Sequence, residues 1–244
     1  MKKKRKICVI INNRANYARI KSVLEEIKKN KNLKLQIVLA SSSILDRFSS
    51  ITEIIKKDGF KIDYKLYTLV DGENLVTMAK STGLSIIEFT SALSKLKPDI
   101  ALVVADRYET LAAAISASYM NIFLAHTQGG EVTGSIDESV RHATSKLAHV
   151  HFPATKKSKQ NLIKMGENPK NVYNFGCPSM DLINLKNLKI DKKFKKKYEN
   201  YGVGELKINF NKPYIVVLQH PVTTEYGKER QHITETAKVL VKLD

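Results

Sequence analysis

The chain has 244 residues, 43% of them hydrophobic, enough to bury a sizeable core in one or two domains. No apolar run approaches the ~20 residues that span a bilayer, and Cys8 and Cys177 have neither metal-ligand spacing nor the density of a disulfide framework. The net charge of +17 is nearly all lysine spread along the chain, with no zinc-finger or RNA-recognition motif, so it reads as a solvated surface and not as a nucleic-acid footprint.

The basic start, residues 1–6, precedes an apolar run that stops at Ile11, before Asn12, Asn13 and Arg14. That run is too short for an export signal and reads as a first strand of a cytoplasmic chain. Strands are expected at 7–11, 35–40, 65–69, 100–105, 122–126, 150–153 and 172–175. Helices are expected between them at 17–29, 51–58, 84–96, 108–120, 136–148 and 156–165. In the first helix Ile20, Val23, Leu24 and Ile27 make one apolar stripe at helical spacing. Strict alternation of this kind predicts an α/β fold, a doubly wound parallel sheet covered on both faces. The pattern changes after Pro178: residues 1–183 form one domain, and 184–210 a lysine-dense connector. Residues 211–244 start a second, incomplete domain with a strand at 214–218 and a helix from about Arg230.

Polar chemistry collects after the strands, where open α/β sheets bind ligands. Arg14 follows the first strand at a helix mouth, in position for a diphosphate or for solvent. There is no G-x-G-x-x-G there to argue for a dinucleotide. Asp106-Arg107 follows the strand at 100–105, and Asp106 is either a partly desolvated proton acceptor or the N-cap of the next helix. The stretch 129–142, Gly-Gly-Glu-Val-Thr-Gly-Ser-Ile-Asp-Glu-Ser-Val-Arg-His, supplies Glu131 and Asp137 as acid/base candidates. Its Ser135 and Glu138 have capping-box spacing, and its Gly129-Gly130 pair permits close approach to a ligand. Arg141 and His142 either reach this site or decorate the helix. His220 ends the strand at 214–218, before Pro221, as a candidate acid or phosphate ligand. His126, His149 and His151 read as structural, and no histidine pair has metal-ligand spacing, so no metal is assigned.

Six collinear motifs resemble the UDP-N-acetylglucosamine 2-epimerases, and the hydrolysing, sialic-acid-pathway branch in particular. They are Asn13-Arg14-Ala15-x-Tyr17, Asp106-Arg107, the 129–142 stretch, Lys146-Leu147-Ala148-His149, Gly176-Cys177-Pro178-Ser179 and Leu218 through Thr224. The resemblance implies a Rossmann-like N-terminal domain of the glycosyltransferase-B two-domain type. It also implies a UDP-sugar substrate, no cofactor, and a homo-oligomer when full length. The implied reaction eliminates UDP across C1–C2 and hydrates the glycal to N-acetylmannosamine. Asp106, Asp137, Glu131 and His220 fall on the family's catalytic positions, and Arg14, Ala18, Arg107 and His220 on its nucleotide contacts.

Gln128 stands at a substrate-facing position where many relatives carry a glutamate proposed as acid/base, and an amide cannot transfer a proton. Ala105 replaces the glycine usual before the Asp-Arg pair. Relatives continue through a phosphate-gripping Gly-Asn-Ser-Ser-like segment with no counterpart in these residues, so a fragment or truncated product is expected. Other readings are the same reaction on UDP-N,N'-diacetylbacillosamine in a legionaminic-acid pathway, a glycosyl transferase, an inactive remnant, and a basic binding module.

Overall fold

The computed structural model describes residues 4–48, 50–72, 74–183, 190–201, 207–222 and 225–243. They belong to two compact units, Met1–Leu182 and Ile183–Asp244. The first unit alternates strands and helices: β1 (Arg5–Ile11), α1 (Arg14–Lys29), β2 (Leu33–Ala40), α2 (Thr52–Lys57), β3 (Tyr64–Leu66) and α3 (Leu75–Leu96). It continues with β4 (Ile100–Val104), α4 (Tyr108–Tyr119), β5 (Phe123–Thr127), α5 (Ile136–Leu147), β6 (Val150–Phe152) and α6 (Lys156–Lys164).

The six strands form one sheet in the order β3-β2-β1-β4-β5-β6, and every pairing is parallel. Strand order reverses between β1 and β4, which opens a crevice beyond their carboxyl ends. Both faces are covered, so the buried stretches of β1, β2 and β4 are apolar on both faces, with Gln36 the buried polar exception. Along β1, Ile7, Val9 and Ile11 pack with Ile20, Leu24 and Ile27 of α1, while Cys8 and Ile10 pack with Phe89 and Leu93 of α3 and the alanines of α4.

Helix α3 begins nine residues before its predicted start, at Leu75 rather than 84. Asn74 caps it in a reciprocal box with Thr77. Its buried stripe runs Ser81, Ser85, Phe89, Ala92 and Leu93; two of the inward positions are serines, which hides the helical period from a hydrophobicity reading. Strand β3 stops at Leu66, short of the predicted 69. Beyond it the backbone N–H of Val70 donates to Ser81 Oγ of α3 at 2.9 Å and so leaves the sheet.

The strand expected at 172–175 reduces to one isolated parallel bridge, His151 with Val172. After it Phe175 turns out, 84% exposed, and stacks loosely with Tyr173 and Phe152.

In the second unit α7 (Lys192–Tyr198) is capped by Asp191, whose side chain accepts from the Phe194 N–H at 2.7 Å. Phe194, Tyr198, Phe210 and Tyr214 form a small aromatic cluster behind its lysines. Helix α8 (Glu229–Leu240) follows. The segment 214–218, expected as a strand, is not one: it is exposed and makes no ladder among the described residues. A lone strand with no neighbour has nowhere to direct its N–H and C=O groups except water. The expected connector is described only in part, since 184–189 and 202–206 lie outside the described residues.

Candidate functional site

At the ends of β4 and β5 the chain turns through two non-glycine residues in the left-handed region, Ala105 at φ 63° and Gln128 at φ 62°. Such angles cost roughly 1–2 kcal/mol for a residue with a side chain, so neighbouring bonds must impose them. Ala105 N–H donates to the Thr127 carbonyl at 3.1 Å and Gln128 N–H to the Phe152 carbonyl at 2.9 Å. His126, fully buried, fixes the same corner: its Nε2 lies 2.8 Å from the Ala105 carbonyl and its Nδ1 3.1 Å from Ser145 Oγ. A carbonyl only accepts, so Nε2 carries the proton and Nδ1 accepts from the serine. Burial pushes the His126 pKa down to about 4, and the ring is neutral. The structural reading of His126 holds.

Beyond this corner the chain projects Asp106 and Arg107. The residue at the N-cap of α4 is Arg107, and no side chain caps that helix. Asp106 is therefore not a cap; it pairs with Arg141 from the inner face of α5. Arg141 is 2% exposed, and its other terminal nitrogen donates to the Glu131 carbonyl at 2.6 Å. One guanidinium thus ties the end of β4 to the glycine-rich turn. Its position four residues after Asp137 puts both on adjoining turns of α5.

Asp137 is half-buried, and its carboxyl is held above the usual range by loss of water and then by the charge of Asp106; Arg107 and Arg141 oppose that shift. The site therefore holds two carboxyls in unlike surroundings, one ion-paired with Arg141 and one shifted upward by burial. That is the arrangement of an acid/base pair.

The turn itself requires its glycines. A Cβ on Gly130, at φ 80°, would lie 2.2 Å from the Ser158 carbonyl oxygen, and one on Gly129 would lie 2.7 Å from Ser145 Oγ. Asn161 Nδ2 holds the Gly130 carbonyl at 2.8 Å. The predicted capping box does not form. Ser135 is the N-cap of α5 without a side-chain bond, and Glu138 reaches past it to accept from the N–H groups of Thr133 and Gly134, each at 2.7 Å. These bonds hold Glu138 below the usual carboxylate range, and its role is to shape the turn. Glu131, partly buried, sits in the same turn with its backbone held by Arg141.

Across the crevice, Asn16 of α1 accepts from Asn12 N–H at 3.1 Å and its Nδ2 donates to the Val104 carbonyl at 3.4 Å, bracing β1 against β4. Arg14 and Ala18 are exposed on the first turns of α1. Gln128 is buried; its Oε1 accepts from Arg19 at 3.1 Å and its Nε2 contacts Cys177 Sγ at 3.5 Å. Cys177 borders an apolar cavity of about 280 Å³ with Leu102, Thr127 and Phe152. His220 lies in the second unit, beside a hollow of about 330 Å³ that Arg230 and His232 also line. Its motif neighbours Thr223 and Thr224 are outside the described residues.

The structure thus links Asp106 and Arg107, after β4, through Arg141 to the turn that carries Glu131 and leads into Asp137, with Gln128 just before that turn. Sequence reasoning left Arg141 open and missed Arg19; only the Asp137–Arg141 helical spacing offered a signal. Among the described residues no cluster of three potential ligands is placed to hold a metal ion, and no helix is long and apolar enough to cross a membrane.

A family model described as UDP-N-acetylglucosamine 2-epimerase matches residues 25–244. A UDP-N,N'-diacetylbacillosamine 2-epimerase (hydrolyzing) of Legionella pneumophila is 37% identical over 179 residues, 73% of this chain and 48% of that protein. A GDP/UDP-N,N'-diacetylbacillosamine 2-epimerase (hydrolyzing) of Campylobacter jejuni is 32% identical over 238 residues, 97% of this chain and 60% of that protein. Among solved structures, the UDP-GlcNAc 2-epimerase from Neisseria meningitidis bound to UDP-GlcNAc superposes with a TM-score of 0.66 at 25% identity, over 80% of this chain and 53% of that one. The chain therefore spans about half to three fifths of the length of these relatives. Its sheet is the α/β sheet of epimerases of the glycosyltransferase-B type.

Proposed function

The chain belongs to the UDP-N-acetylglucosamine 2-epimerase family, and from that membership we propose that its protein is a hydrolysing 2-epimerase of a UDP-linked 2-acetamido sugar. The observation that carries the proposal is the environment of Asp106, after β4, and Asp137, at the start of α5: the first is paired with Arg141, and the second is pushed upward by burial and then by the charge of Asp106.

In this reading Asp106 takes the proton from C2 while the C1–O bond to UDP breaks, leaving a C1=C2 glycal. Asp137 then gives a proton to C2 from the opposite face, water adds its oxygen to C1 and its released proton restores Asp137, and the proton held by Asp106 leaves with UDP. The balance is one UDP-sugar and one water giving UDP and the free 2-epimer. Arg107 and Arg14 receive the diphosphate, whose leaving charge they offset. The family pattern alone assigns His220 to that departure. Gln128, held by Arg19, cannot transfer a proton; Glu131 or Asp137 carries the role that a glutamate would have there.

UDP-N-acetylglucosamine, giving N-acetylmannosamine for sialic-acid-type synthesis, is the first substrate reading. UDP-N,N'-diacetylbacillosamine is the second, favoured by the names of the two relatives with 37% and 32% identity. Incubating the purified protein with each UDP-sugar and following free UDP and the released sugar separates them. Release of the free 2-epimer from one substrate supports the reaction and names the sugar. Release of UDP only when an acceptor is added would make the protein a transferase, and no release from either would make it an inactive remnant.

A further inference from the structure

Glu109, in the first turn of α4, is 1% exposed, and the reaction above gives it no part. A carboxylate in an α-helix's first turn already benefits from the helix dipole, but an exposed one would gain as much without the cost of burial. Its two oxygens are instead engaged from two different strand ends. Oε1 accepts from Ser41 Oγ at 2.9 Å, and Oε2 lies 3.2 Å from Arg107 Nε. Ser41 follows β2 and is itself at φ 54°, while Arg107 follows β4. The two strands are not neighbours, because β1 lies between them. Glu109 therefore links loops on both sides of the crevice.

Arg107 is half exposed on its side chain. Glu109 takes its Nε, which leaves the Nη1/Nη2 edge of the fork for an oxyanion. Glu109 also raises the Arg107 pKa further, so the charge is permanent.

We propose that Glu109 is a positioning residue, which aims the guanidinium of Arg107 so that its outer edge meets the diphosphate of the sugar nucleotide. The proposal rests on the epimerase reading for the identity of the ligand, not for the clamp itself.

The test is a double-mutant cycle on the active protein with Glu109→Gln, Arg107→Ala and both. Loss of one charge-assisted bond predicts that Glu109→Gln lowers kcat/KM about tenfold to a hundredfold, chiefly through KM. The double variant is expected to be no slower than Arg107→Ala alone. Losses that multiply would show that Glu109 acts structurally and not through Arg107. In parallel, the Arg107 Nε–Hε NMR resonance is expected to be sharp in the parent and broadened away in Glu109→Gln. Persistence of that resonance in Glu109→Gln, or its absence from the parent, overturns the clamp even if the protein turns over no UDP-sugar. That last result would instead defeat the epimerase reading alone. If Glu109→Gln does not fold, Ser41→Ala removes only the hydroxyl donor; a KM raised about threefold at unchanged melting midpoint supports the clamp, and an unchanged KM overturns it.

Discussion

Arg141 and Asp106 are ion-paired across 35 residues of sequence, the arginine fully buried in α5 and the aspartate at the end of β4. Removing one member leaves the other's charge in a poorly hydrated place. Asp106→Asn is expected to cost about 3 kcal/mol of unfolding free energy, at the low end for a buried pair because the Asp106 side chain keeps 20% of its exposure. In the active protein it should also lower turnover at least a hundredfold, the scale of a lost proton acceptor. Urea denaturation and the UDP-release assay check the two effects separately; near-normal turnover would reduce Asp106 to a structural partner of Arg141.

The two glycines of the 129–142 turn at positive φ should respond differently to alanine. Gly134, at φ 72°, has nothing within 4 Å of a built Cβ, so Gly134→Ala meets only backbone strain, about 1 kcal/mol. Gly130→Ala meets the same strain and a carbonyl oxygen at 2.2 Å, so backbone must move. A loss of more than about 3 kcal/mol is expected, as for other strained and overpacked sites. Equal urea midpoints for the two variants would contradict the packing of the turn on α6.

Acid stability should report His126. Its pKa is about 4 in the folded protein against 6.5 for a free imidazole, so between those values the unfolded chain binds more protons. Stability is then full above the unfolded pKa and is lost as pH falls toward the folded one. This group alone should remove about 2 kcal/mol between about pH 7 and pH 5. His151, also lowered by burial, adds in the same direction. Asp137, raised in the fold, acts with the opposite sign, and only at pH values above its unfolded value and below its folded one. Urea midpoints for the parent and His126→Gln at the two pH values test this; an equal pH slope in both would exclude His126 as the source.

The two thiols should differ in reactivity. Cys8 is fully buried in β1 and its pKa is pushed up to about 12 by burial and then by Asp63, while Cys177 is partly exposed. Iodoacetamide at mildly alkaline pH is expected to modify Cys177 in the native protein and Cys8 only in urea. Peptide mapping showing native labelling of Cys8 would mean that the sheet opens locally at β1.

The chain order of strands and helices in the first unit was legible because a doubly covered parallel sheet demands apolar runs, and α1 carries its stripe in aliphatic residues. Legibility failed where burial used polar side chains: Ser81 and Ser85 concealed the first turns of α3. It failed again at 172–175 and 214–218, where an apolar run reads as a strand although strand pairing needs a neighbour that local sequence does not specify.

At the site, motif order alone placed Asp106, Arg107, Glu131 and Asp137 in one family's pattern, and composition alone excluded a spanning helix of the usual length. Local sequence could not decide between Asp106 as a cap and Asp106 as a site carboxylate, nor whether Arg141 faced in or out. Those answers depend on residues far apart in the chain meeting at strand ends: Asp106 with Arg141, Ser41 with Glu109, Arg19 with Gln128. Helix and strand periods are set by backbone geometry over a few residues, so they leave a trace in the sequence. Charge pairing and burial at the crevice are set by the order of strands in the sheet, and only the folded chain determines them.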